Sequence, residues 1–163
     1  MEGIISLPEN FKIVSASAGC RTTNAGITCD YVSLKNVVKA WIIAHFRQAV
    51  THATTLQPQK ATAVLPSGAT SITTAKRWWK NADISATDTL VAQTAATSMA
   101  CTAGTTDQLL VVEIDPADGE WDEDYDVLGC TVSDSSQATN FASVLYMLQT
   151  KYQQATPPTA ITD

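Results

Sequence analysis

The sequence predicts an all-β protein: an antiparallel β-sandwich or β-barrel with extended terminal arms, built as a single domain over residues 1–163. Apolar residues alternate with period two through most readable segments, and turn-forming residues recur between those short segments. The composition agrees. Ala and Thr each occur 23 times and only 16% of residues are charged, against about 25% in an average globular chain. Such a profile disfavours a long helical bundle or coiled coil, and also a disordered chain, which needs high net charge and few apolar residues.

In chain order, residues 1–10 read as an extended arm. Met1-Glu2-Gly3-Ile4-Ile5-Ser6-Leu7-Pro8 has no basic start, sustained apolar run or small-residue cleavage site, so no signal peptide is expected. Thr28 to Leu34 alternates and predicts a strand, with Lys35–Asn36 as the turn into a second strand from Val38 to Phe46. In that second strand Val38, Ala40, Ile42, Ala44 and Phe46 form a clean core face, while Lys39, Trp41, Ile43, His45 and Arg47 are mixed. The two strands are expected to pair as a hairpin. Val50 to Gln57 is rich in Thr and β-branched residues and is expected to stop at Pro58, which cannot donate to a ladder.

Pro66-Ser67-Gly68 marks a turn, after which Ser71 to Trp79 reads as one strand. Ala92 to Thr106, a run of Ala, Thr and Ser with Gly104, reads as a strand with long turns or a surface loop. Leu109 to Ile114 and Val127 to Ser133 are short strands. Phe141 to Gln149 also matches a helical stripe through Phe141, Val144, Leu145 and Leu148, but its place after a polar loop favours a second hairpin. Residues 155–163, with Pro157–Pro158, read as a terminal arm.

Net charge is −6, divided unevenly: residues 1–80 carry nine of the ten Lys/Arg and three acids, whereas residues 81–163 carry one Lys and thirteen acids. An acidic chain repels phosphate, so nucleic acid is not expected as a partner. Either the basic half meets an acidic protein neighbour, or the two halves interleave and neutralise each other. No apolar stretch approaches a membrane span. Cys20, Cys29, Cys101 and Cys130 have no metal-finger spacing and read as reduced, small apolar core residues, with a Cys20–Cys29 bridge across a hairpin as the alternative.

The window Glu113 to Asp126 holds eight of the sixteen acids and no Lys or Arg. Asp122, Asp124 and Asp126 begin like a calcium loop, but Val127 stands where glycine is needed and Ser133 where the chelating glutamate belongs. A solvated acidic loop around Trp121 and Tyr125 is the plainer reading, and nothing supports glycosidase chemistry by its carboxylate pairs. His45 and His52 fall in expected strands with no nucleophile-elbow motif nearby. No catalytic residue, cofactor or metal ligand is assigned, and an enzyme is not expected.

Lys76, Arg77, Trp78, Trp79 and Lys80 form the one basic-aromatic cluster. On a strand the two indoles point to opposite faces, so a one-sided core takes one and the other needs a cover: a protein neighbour, a nucleobase or the chain's own loop. These five residues, with Trp121 and Tyr125, are the candidate interface.

Thr28-Cys29-Asp30-Tyr31-Val32-Ser33-Leu34-Lys35-Asn36, followed by the apolar strand to Phe46, resembles small virion structural proteins encoded among the head genes of tailed bacteriophages. Lys76 to Asn81, and Lys151–Tyr152 before a Pro-containing tail, are similar in order and spacing. The resemblance implies a capsid decoration or cement protein, made in the host cytoplasm and carried on the virion's capsid surface. It would bind and stabilise the major capsid protein lattice, often as a homotrimer, with no nucleic acid, membrane or cofactor involved. The alternatives are a carbohydrate- or receptor-binding module of spike or adhesin type, using Trp121 and Tyr125, and a tail or neck component.

Overall fold

The computed structural model describes residues 6–65, 68–122 and 124–152. Leu7–Asn10 forms a helical turn (α1), and the strands follow as β1 (Phe11–Ser15), β2 (Arg21–Thr22), β3 (Ile27–Thr28), β4 (Val32–Ser33), β5 (Val37–Arg47), β6 (Thr54–Ala61) and β7 (Thr70–Ser71). The second half holds β8 (Lys76–Asn81), β9 (Val91–Ala96), β10 (Met99–Cys101), β11 (Asp107–Ile114), β12 (Val127–Val132) and β13 (Phe141–Thr150). All pairings are antiparallel. Sheet A runs β1-β13-β5-β11-β8-β9, with β2 also on β13; sheet B runs β10-β6-β12-β3, with β4 on β12 and β7 on β6. The two sheets stack as a sandwich, and the barrel alternative is set aside because neither closes.

The core lies where the sheets face each other. Ala40, Ile42, Ala44 and Phe46 of β5, Leu110, Val112 and Ile114 of β11, and Val144, Tyr146 and Leu148 of β13 meet Leu56 of β6 and Leu128, Cys130 and Val132 of β12. Complete burial of each large apolar side chain contributes about 1.5–3 kcal/mol. The one phenol at this depth keeps a partner, since Tyr146 Oη donates to the Asp30 carbonyl at 2.8 Å.

The outer side of sheet B has a small cover of its own. Tyr31, Ala61 and Val127 are buried together, and the Tyr31 ring lies against Gly129, where any Cβ would collide with it. A 2.5 Å hydrogen bond from Tyr31 Oη to Gln59 Oε1 holds the ring there.

Several expectations are corrected. The Thr28–Leu34 segment does not form a hairpin with β5: its two short strands pair with β12 in sheet B, while β5 belongs to sheet A. Lys35–Asn36 does turn the chain, with Asn36 at φ 61° and the Val37 amide bonded to the Leu34 carbonyl, but the turn crosses between layers. Val38 is also misplaced. The β5–β13 register shifts between Gln149 and Thr150, so Val37 enters the core and Val38 is 46% exposed. Strand β6 runs through Pro58, whose carbonyl accepts the Ile72 amide. The absent N–H therefore points to the same side, into the gap between β10 and β7, where no ladder partner is lost.

The predicted Ser71–Trp79 strand divides into β7 in sheet B and β8 in sheet A. Phe141–Gln149 is a strand as expected, yet it crosses to sheet A instead of pairing with β12. The Ala92–Thr106 run likewise splits, β9 to sheet A and β10 to sheet B. Of the expected arms, residues 1–5 and 155–163 lie outside the described residues, as do Pro66 and Ser67 of the expected turn, and Leu7–Asn10 is helical instead of extended. His52 sits in a loop and not a strand. All four cysteines are free; three are buried, but Cys20 is exposed and does not belong to the core.

Candidate interaction surface

Strand β8 divides the basic-aromatic cluster between two environments. Lys76 and Trp78 point inward: the Lys76 ammonium meets Asp118 at 2.5 Å, and Trp78, 1% exposed, donates from Nε1 to the Ala96 carbonyl at 2.8 Å. Arg77 and Trp79 point outward, with the guanidinium 5.0 Å above the indole, a cation–π contact. Lys80 donates to the Ala100 carbonyl at 3.1 Å and also bonds Thr102 Oγ1, and burial pushes its ammonium pKa down. Of the five residues, only Arg77 and Trp79 share the open face.

Register extends that face across sheet A. Ser15, Leu145, Ile43, Val111, Trp79 and Ala92 are successive partners along one row, and Ile13, Met147, Trp41, Glu113 and Arg77 along the next. Phe11 adds its ring beside Trp41, with centroids 6.1 Å apart. These side chains lie opposite to the core-facing set, and Ile13 and Leu145 are 53% and 38% exposed. No strand or helix among the described residues forms a third layer over them. Lys39 and Arg77 both reach Glu113, at 3.1 and 3.5 Å, so two cations of the band share one carboxylate.

Sequence reasoning missed this surface because it described the odd positions of β5 only as mixed. The available signal was that Leu109–Val112 and Val144–Leu148 are largely apolar at both parities, which is how strands covered on both faces read.

Trp121 and Tyr125 do not form a second open platform. Trp121 is 8% exposed, with its indole N–H lacking a partner among the described residues, and Lys60 Nζ lies 4.8 Å over the Tyr125 ring. An open cleft of about 350 Å³ beside Trp121 is lined by Leu34, Lys35, Pro116, Asp122 and Asp126.

The acidic window is less solvated than its composition suggests. Glu120 is buried and accepts from the Thr73 and Thr74 amides at 3.0 and 2.6 Å and from Lys60 at 3.0 Å. Burial by itself would push this carboxyl up, but the hydrogen bonds from Thr74, Lys60 and Thr73 outweigh it and hold the pKa at about 2. Asp118 pairs with Lys76, and Asp122 accepts the Asp124 and Tyr125 amides. The basic and acidic halves therefore interleave, with Lys39, Lys60, Lys76 and Arg77 each paired to an acid of the second half. Among the described residues no three His, Cys, Asp or Glu side chains converge on a metal position, and no helix is long and apolar enough to cross a membrane.

No protein-family model and no curated protein matches the chain. Among solved structures it is similar to the SPBc2 prophage-derived protein YomS, at TM-score 0.46 and 9% identity, covering 90% of this chain and 98% of that one. It is also similar to the CBM22-1–GH10 modules of xylanase 10B from Clostridium thermocellum, at TM-score 0.39 and 6% identity over 88% of this chain and 26% of that one. A family 11 carbohydrate-binding module from the same organism gives TM-score 0.32 and 9% identity over 94% of each chain. These are loose likenesses, and none supplies a residue correspondence for the outer face.

Proposed function

We propose that this chain is a non-catalytic structural protein of a tailed-phage virion, a decoration or cement protein that stabilises the major capsid protein lattice at the capsid surface. The outer face of sheet A carries this reading. A broad apolar band with two half-buried indoles is costly to leave in water and suits an assembly surface, because exposed patches of this kind mark protein contacts. The Thr28–Asn36 resemblance supplies the virion setting. A protein that binds only the assembled shell stabilises it by mass action, and many copies multiply a weak contact.

The test is copy number in purified virions, followed by heat stability of shells with and without the protein. Hundreds of copies per particle and a raised shell melting temperature are expected; absence from virions would remove the proposal. A handful of copies would shift the assignment to a tail, neck or spike component.

A carbohydrate- or receptor-binding module is the second reading, with its site on sheet A instead of at Trp121. With Trp121 buried, the available stacking surface is Trp41 and Trp79 beside Arg77 and Glu113. Retention of one sugar on a glycan array, lost in Trp41→Ala, would favour this reading over the first.

A further inference from the structure

Cys29 and Cys130 come together from distant parts of the chain. The β3–β12 register pairs Ile27 with Val132 and Thr28 with Thr131, and one step further it sets Cys29 directly opposite Cys130. The Cys29 amide donates to the Cys130 carbonyl at 3.0 Å, which places the two at a hydrogen-bonded position of the ladder. Residues so paired hold their Cα atoms about 5.5 Å apart, a separation typical of disulfides. Directly opposed side chains share one face of a sheet, and both cysteines lie in the core cluster. Their thiols are near enough to hydrogen-bond each other. The other two cysteines are placed differently: Cys101 is on β10, at the far edge of sheet B with β6 between it and β12, and Cys20 is exposed.

We propose that Cys29 and Cys130 are a redox pair that closes into a cross-strand disulfide when the protein meets an oxidising medium. The oxidant is a low-molecular-weight disulfide such as oxidised glutathione. The Cys29 thiolate attacks one of its sulfurs, which forms a mixed disulfide and releases one glutathione thiol. The Cys130 sulfur then attacks Cys29 Sγ and expels the second. Two electrons and two protons pass from the cysteines to the two glutathione thiols, and the protein loses two hydrogen atoms.

Access sets the rate of closure. Burial pushes the Cys130 thiol well above its ordinary value, so little thiolate forms there in the closed fold. On this side β12 is held only by β3 and β4, of two residues each, and local release of β3 opens both sulfurs to the oxidant. The bond itself asks for little movement. Opposed Cβ atoms stand about 4.5–5.5 Å apart and a bridge needs about 3.5–4.5 Å, an approach that the short β3 makes more readily than the long core strands. Once formed, the bridge fastens the segment between β1 and β5 to sheet B. It also closes a loop of about 100 residues, which removes much of the unfolded chain's freedom.

Refolding of the reduced protein in a glutathione redox buffer, followed by alkylation of the remaining thiols and peptide mapping, tests the proposal. Wild type should lose the mass of two hydrogen atoms, keep Cys20 and Cys101 open to alkylation, and yield one linked pair of peptides carrying Cys29 and Cys130. Its melting temperature should fall by several degrees when dithiothreitol is added. Cys20→Ser should behave as wild type, whereas Cys130→Ala should show neither the mass loss nor a response to dithiothreitol. Four alkylated cysteines after oxidative refolding of wild type overturn the inference. A bridge from Cys29 to Cys20 also overturns it. Both results are read on the wild-type chain, so they stand whether or not Cys130→Ala folds.

Discussion

Glu120 shows how one residue of the acidic loop ties the layers together. The chain leaves β7 in sheet B and enters β8 in sheet A through Thr73–Ala75, and the amides freed by that crossing are taken up by a single buried carboxylate. Its pKa falls from 4.5 to about 2 on folding. A depressed carboxyl contributes stability that is complete above its unfolded value and is lost as pH falls through its folded value. Urea titrations should therefore show Glu120's contribution present above about pH 4.5 and disappearing toward pH 2. Glu120→Ala should cost about 3 kcal/mol at neutral pH, by removing the Lys60 ion pair and orphaning two amides, and should flatten that acid limb. Gly129→Ala probes the opposite layer. The new methyl meets the Tyr31 ring, which Gln59 keeps from swinging away, so unfolding should shift by about 2 kcal/mol and the melting temperature by several degrees.

At the scale of single strands, the register shift in β5 makes neighbouring valines unequal. Val38→Thr should change stability by less than about 0.5 kcal/mol, whereas Val37→Thr should cost about 1–2 kcal/mol, because only the second places a hydroxyl in the core. Urea midpoints for the two variants decide the point.

The same bulge illustrates what was legible in the sequence. Period two placed β5 within a residue at each end, because alternation directly reports which side of a strand meets apolar neighbours, while β11 was legible as a short apolar run and β13 from its place after a polar loop. Alternation carries no information about which strand pairs with which. Both expected hairpins therefore failed, although their strands were real. Pro58 misled for a related reason: a missing donor matters only on a side that carries a ladder, and that side is set by tertiary structure. The Trp78/Trp79 pair was read correctly as facing two ways. Their companions on the open face, Trp41 and Leu145, lie far apart in the chain, and only register unites them.

For the molecule as a whole, interleaving of the basic and acidic halves removes the simplest view of the basic half as an electrostatic clamp. Lys39, Lys60, Lys76 and Arg77 are already paired with acids of the second half. Association through the sheet A band should consequently persist or tighten from physiological salt to about 1 M NaCl, where the screening length is only about 3 Å. It should also show a negative heat-capacity change in calorimetry. Loss of association at high salt would assign binding to charge instead. The position of β13 has a different bearing. It lies between β1 and β5 and pairs Phe11 with Gln149, so β1 and β2 have no place in sheet A until residues 141–150 exist. A ribosome that has made β1 through β12 but not β13 holds β1 without its partner and β5 with one edge bare, and during that interval this side of the future core is open to chaperones and proteases.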